Sequence, residues 1–416
     1  MEREVLVYMD VDREARLAGR LWARTRGDRQ TASFAYDLTW LDNSERFALE
    51  PSLALGPGPF HTGADKPLFG AIGDSAPDRW GRALMRRAER RRAEAAEEAP
   101  RTLSELDYLL LVNDYSRQGA LRFAEPDGPF LADRGVPIPP LVEIPRLLSA
   151  AERVGNEADT DEDLKLLLAP GSSLGGARPK ASVLDRDGAL AIAKFPHQND
   201  EIDTVRWEAV ALSLAKKAGI TVPSWRLEDV AGRPVLLLDR FDRKGERRIP
   251  FLSAMSMLGA TDRETRSYME FVDALRQHGA APRDDMRQLW RRIVFSVLIS
   301  NTDDHLRNHG FLYQSPDGWR LSPAYDINPV PVDLKPRILS TSIDLEDATA
   351  SLELALSAAP YFGLKSVDAR TIATDVGTAV RNWRREAETV GLRPGEIDRM
   401  ASAFEHDDLS SALACS

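Results

Sequence analysis

Between residues 286 and 298 apolar side chains recur at Met286, Leu289, Trp290, Ile293, Val294, Val297 and Leu298. That spacing, near 3.6 residues, predicts a helix with one buried face. A polar run, Asn-Thr-Asp-Asp-His-Leu-Arg-Asn at 301–308, follows it. Two short apolar runs, 310–313 and 319–321, then flank Ser315, Pro316, Asp317 and Gly318, a turn composition, which predicts a small hairpin. Its far strand leads into Tyr325, Asp326, Ile327, Asn328 and Pro329. Upstream, strands are expected at 5–8 and at 33–40, where Phe34, Tyr36, Leu38 and Trp40 alternate on one side. Helical texture begins near Pro77, and a strand is expected at 119–123. Helices at 141–154 and 161–168 precede strands at 181–184 and 189–195, joined by the turn composition of 185–188. A helix at 203–218, an apolar strand from 234 and polar-faced helices at 367–401 complete the pattern.

The Pro- and Gly-rich stretch 125–140 has no periodicity and reads as a linker. The expected organisation is a β-rich and helical N-terminal part (1–125), a linker (126–140), a mixed α/β part (141–240) and a helical part (241–416). With 43% hydrophobic and 29% charged residues, the 416-residue chain has the composition of a globular protein. Its net charge of −10 argues against broad attraction to nucleic acid or anionic membrane. The arginine-rich run 82–92 reads as a solvated helix whose glutamates pair with arginine. A lone cysteine, Cys415, excludes an internal disulfide and Cys-based metal clusters. No apolar run has membrane-helix length and no signal peptide opens the chain, so the expectation is a cytoplasmic protein.

Four places carry chemistry. The stretch 171–180 offers backbone amides at Gly175 and Gly176 with Ser172, Ser173, Arg178 and Lys180 nearby; successive amides in such turns bind anions. It is not a Walker loop, since Ala177 stands where lysine is required. Lys194 lies inside an apolar strand and must pair, snorkel or bind phosphate, with Glu208 on the next helix as a candidate partner. The apolar strand from 234 turns polar at Asp239, Arg240, Asp242 and Arg243. Its carboxylates suit a ribose, or simply pair with Arg240 and Arg243. Asp303 and Asn308 stand five apart: a carboxylate can orient a hydroxyl, and an amide oxygen can bind a metal without added charge. Asp326 would be a second metal ligand. Oxygen donors favour Mg²⁺ over zinc at this site, which leaves His305 and His309 as scaffolding.

The order of these parts is that of a protein-kinase core. The wording at 172–180, 238–243, 301–311 and 321–329 resembles the HipA family of serine/threonine kinases, many of them toxins of type II toxin–antitoxin pairs. Residues 69–80 and 119–123 resemble the domain that precedes the kinase core there. The resemblance implies an α+β fold: a two-lobed kinase-like body with a mixed N-lobe, a mainly helical C-lobe and an N-terminal β-rich subdomain. It implies Asp303 as the catalytic residue, Asn308 and Asp326 on Mg²⁺, and Glu208 as partner of Lys194. ATP would be held by Ser173, Gly175, Gly176, Ala177, Lys194, Asp239, Phe241 and Asp242. Autophosphorylation would fall on Ser173, with Ser172 as the alternative, and its charge would repel ATP phosphates from the loop. A protein substrate, such as an aminoacyl-tRNA synthetase, and a DNA-binding antitoxin are the implied partners. No His-Arg precedes Asp303, and Asp-Ile-Asn replaces Asp-Phe-Gly, so the chain departs from ordinary protein kinases. A small-molecule kinase acting on an aminoglycoside or choline-like alcohol, and a catalytically silent antitoxin-binding module, stand as alternatives.

Overall fold

The computed structural model describes residues 2–27, 29–132, 137–169, 176–262 and 264–415. Ser172, Ser173 and Gly175 lie outside them. The chain forms two compact units, Met1–Asn199 with Glu228–Leu252 and Asp200–Leu227 with Ser253–Ser416. Residues on both sides of the 126–140 stretch therefore share one unit, and the helix Thr204–Lys217 groups with the C-terminal part.

In the first unit an antiparallel sheet runs in the order Phe60–His61, Arg29–Tyr36, Glu14–Arg26, Glu2–Val11 and Leu121–Ala124. The strand expected through Trp40 stops at Tyr36. Asp37 accepts hydrogen bonds from the Thr39 amide at 2.9 Å and the Thr39 hydroxyl at 2.7 Å. This local cap starts the helical turn Leu38–Leu41 in place of the ladder. Leu38 is thereby turned to solvent and Trp40 into the core.

The arginine-rich segment forms the helix Arg79–Ala95, capped by Asp78. Trp80 and Leu84 on its apolar face pack with Leu147, Leu148, Val183 and Leu237. Arg92 pairs with Glu89 within the helix, as expected. Arg82, Arg87 and Arg91 instead reach Glu105 and Asp159, so three of the six arginines at 82–92 hold tertiary structure. A second sheet orders Lys180–Leu184, Leu190–Lys194, Arg233–Asp239 and Trp225–Val230, of which 228–230 belong to this unit.

Just past Asp239 the chain is pinned by a buried knot of charge. The Asp242 carboxylate accepts from Arg240 Nε at 2.7 Å, Arg243 Nη1 at 2.9 Å and the Gly119 amide at 2.8 Å. Gly119 has φ +73°, and a Cβ there would stand 3.2 Å from the Phe251 nitrogen, so glycine alone fits easily. Arg240 and Arg243 also donate to the carbonyls of Ser116 and Gly119. Burial by itself would raise the Asp242 carboxyl, but the two guanidinium charges override it and hold it well below the usual range.

In the second unit the helix Pro282–Leu298 buries Leu289, Trp290, Ile293, Val294, Val297 and Leu298 completely, the face expected from its spacing. Asp285 near its start accepts from Arg320 Nε at 2.9 Å and the Leu321 amide at 3.1 Å. That fixes the hairpin of Gly310–Gln314 and Gly318–Leu321 on the helix. Elsewhere Trp383 stacks on Phe404 at 4.5 Å, with Trp207 of the helix Thr204–Lys217 beside both.

Asp242→Asn would leave two buried guanidinium groups without their counter-charge. The expected loss is about 3–5 kcal/mol in chemical denaturation, against little change for Arg24→Ala at an exposed pair.

Candidate active site

The helix Pro282–Leu298 ends where Ser300 takes a left-handed φ of +52°. The chain then doubles back, the Asn301 amide donating to the Ser296 carbonyl at 2.8 Å. Two adjacent aspartates follow with opposite fates. Asp304 is buried, and its carboxylate accepts from the Tyr268 hydroxyl and from Ser296 Oγ at 3.3 Å. His309 Nε2 stands 3.0 Å from its other oxygen. Thr341 Oγ1 donates to the Asp304 carbonyl at 2.7 Å. Burial pushes the Asp304 carboxyl up, yet the close approach of His309 and the hydrogen bonds from Tyr268 and Ser296 outweigh it and keep it low. Burial and the neighbouring Asp304 charge push the Tyr268 phenol well up. The Tyr268 hydroxyl is thus held as a donor.

Asp303 faces outward, with 68% of its side chain exposed. Asn308 lies beneath it, buried, its Nδ2 donating to the Asp303 carbonyl at 3.1 Å. That bond fixes the amide plane. The Asn308 Oδ1 is then left buried with no hydrogen-bond partner. Asp326 has φ +57° and is half-buried. It is held against this loop from both sides: the Tyr325 hydroxyl donates to the Arg307 carbonyl at 2.8 Å, and the Asn328 amide to Asn301 Oδ1 at 3.3 Å. An orphaned amide oxygen, on a loop to which the residues flanking Asp326 are tied, fits a hard cation that keeps most of its ligands from water or phosphate, as Mg²⁺ does. No group of three or more His, Cys, Asp and Glu among the described residues is arranged to hold a metal.

In the first unit Lys194 ends its strand, buried, and stands opposite Lys180 in the antiparallel register. Lys180 Nζ donates to Asp78 Oδ2 at 2.6 Å and to the Gly176 carbonyl at 2.9 Å. It therefore ties the base of the Gly-rich stretch to the helix Arg79–Ala95. Ala177 is exposed. Asp239 is exposed at the end of its strand, and the half-buried Phe241 ring lies 6.3 Å from Phe251. Asp242 is enclosed by Arg240 and Arg243, so of the two readings open for it the ion pair is what the structure shows; no face remains for a nucleotide. Glu208 is buried on the helix Thr204–Lys217 of the second unit.

Sequence reasoning missed two anchors, Tyr268 and Arg292, which carry no motif; Lys180 enters it only as a residue of the Gly-rich stretch. Arg292 is wholly buried beside Asp304 and Asp285, donates to the Ser322 carbonyl, and is lowered to about 10 by burial, which those two charges offset only partly. The Asp303-Asp304 pair itself was the available signal, since two adjacent carboxylates rarely face one environment.

No described helix is long and apolar enough to cross a membrane. Residues 172–383, about half of the chain, match the family described as the HipA-like C-terminal domain. A Sinorhizobium fredii protein named Putative kinase Y4mE is 26% identical over 347 residues, covering 76% of this chain and 75% of its own. The fold matches that of Shewanella oneidensis HipA, solved with HipB and operator DNA, at a TM-score of 0.67 and 18% identity over 99% of this chain and 96% of that one.

The Asp304 anchor predicts acid-sensitive packing. Its folded-state pKa is depressed, so the stabilisation is present above about pH 4, the unfolded carboxylate range, and is lost as pH falls through the folded value. Tyr268→Phe should cost about 1.5–3 kcal/mol near neutrality. The gap between wild type and Asp304→Asn should narrow below about pH 4 in pH-dependent denaturation.

With residues 172–383 matching that family over half of the chain, this chain belongs to the family of the HipA-like C-terminal domain.

Proposed function

We propose that the chain is an ATP- and Mg²⁺-dependent serine/threonine protein kinase that acts as the toxin of a toxin–antitoxin pair. The observation carrying this reading is the Asn308 Oδ1, buried and unpaired below an exposed Asp303. An open acceptor at this position suits a cation ligand of a phosphotransfer site. In this reading Asp303 accepts or orients the acceptor hydroxyl, and Asn308 with Asp326 holds the cation, which neutralises phosphate charge when bound. Lys194 binds phosphate oxygens, with Glu208 as its partner in function. Asp239 and Phe241 serve the adenosine, and Gly176 and Ala177 belong to the phosphate loop. Asp242 supports them by holding the strand end.

Autophosphorylation of Ser173, or of Ser172, would place about two negative charges in the loop meant for ATP phosphates and switch the enzyme off. The Shewanella HipA was solved with HipB and operator DNA. By analogy we assign this chain a DNA-binding protein partner that supplies most of the DNA contact, since its own net charge is −10. The acceptor is a protein, and the setting is cytoplasmic.

The test is transfer of labelled γ-phosphate by purified protein to itself and to proteins of a cell extract. Asp303→Asn should lower the rate by roughly three orders of magnitude while leaving the thermal midpoint unchanged. Wild-type transfer by that variant would overturn the mechanism, and transfer only to small molecules would overturn the protein acceptor. Asn308→Ala should raise the Mg²⁺ concentration needed for half-maximal rate about tenfold or more, read by titrating Mg²⁺ at saturating ATP.

A further inference from the structure

We infer that Lys335 is the positioning residue of Asp303, supplied from the segment C-terminal to the metal motif; this rests on Asp303 orienting the acceptor hydroxyl. Lys335 Nζ lies 3.5 Å from Asp303 Oδ1 and donates to the Thr302 carbonyl at 3.1 Å. Its stem leaves a turn closed by the Leu334 and Lys335 amides on the Pro331 carbonyl. The same segment is tied to the loop a second time, through Ser340 Oγ on the Thr302 carbonyl at 2.9 Å. Among the described residues, the ion pair of Asp303 is the one with Lys335.

Stability does not explain the pair. Asp303 and Lys335 side chains are 68% and 39% exposed, and such pairs contribute almost nothing to folding. Their placement explains it better. An aspartate that faces solvent on a loop sweeps through several rotamers, and a misplaced carboxylate oxygen is a poor partner for a hydroxyl. Lys335, itself seated on the Thr302 carbonyl, biases one oxygen to one side and leaves the other for the acceptor. The pair is also weak enough to yield when the acceptor enters. An ammonium held there adds positive charge beside the reacting oxygens, where negative charge accumulates during transfer.

Steady-state kinetics on the full chain tests this. Lys335→Met should lower kcat about 10- to 100-fold with KM for ATP little changed, and Lys335→Arg should recover most of the rate. Ser340→Ala, which removes another side-chain tie of the segment and keeps the Ser340 amide on the Thr302 carbonyl, should leave kcat near wild type. In the Asp303→Asn background Lys335→Met should cost nothing further, because the group it orients is gone. Three results overturn the inference: unchanged kcat in Lys335→Met, an equal loss in Ser340→Ala, or full additivity with Asp303→Asn. If Lys335→Met unfolds in circular dichroism, Lys335→Gln replaces it under the same criteria. Wild-type transfer by Asp303→Asn alone would instead overturn the reading of Asp303 and leave the Lys335 contact as packing.

Discussion

One buried negative charge organises the second unit. A lone carboxylate in a protein interior is unstable unless several donors replace its water. Asp304 recruits Tyr268, Ser296 and His309 for that purpose, with Arg292 close behind. Those donors come from the helix Tyr268–His278, the helix Pro282–Leu298 and the loop's own far end. Satisfying the charge therefore assembles the elements. The adjacent Asp303, carried on the same short stretch of backbone, is presented to solvent as a consequence.

The first unit repeats the device. Asp242 gathers Arg240, Arg243 and the Gly119 amide, and so fixes where the strand Arg233–Asp239 ends relative to the N-terminal sheet. Lys180 does the same on a smaller scale, spanning Asp78 and the Gly176 carbonyl. In each unit an aspartate proposed to meet substrate, Asp239 or Asp303, is exposed, while a nearby aspartate that meets none, Asp242 or Asp304, is buried and engaged.

Much of this was legible from spacing. The 3.6-residue apolar period located the helix Pro282–Leu298, and the turn composition at 315–318 located the hairpin. Five-residue spacing singled out Asp303 and Asn308. Local competition hid other features: Asp37 ends a strand that alternation alone would extend to Trp40. Tertiary pairing hid still more. No pattern along the chain tells that Arg87 and Arg91 meet Asp159, or that Lys335 returns to Asp303 across 32 positions. For Asp239 and Asp242 the sequence offered two roles for either residue, and only burial separated them.

The left-handed backbone at Asp326 changes how that residue should be weighed. A φ of +57° costs most residues about 1–2 kcal/mol, glycine being exempt and asparagine and aspartate affected least. The fold therefore favours a few residue types at position 326 before any metal is considered. An aspartate there would suit a chain that had ceased to transfer phosphate almost as well as one that had not. Asn308 carries the opposite information. Its backbone is ordinary, and its buried oxygen without a protein partner is open to a water or a cation. In surveying related chains for activity, the amide is the residue to read.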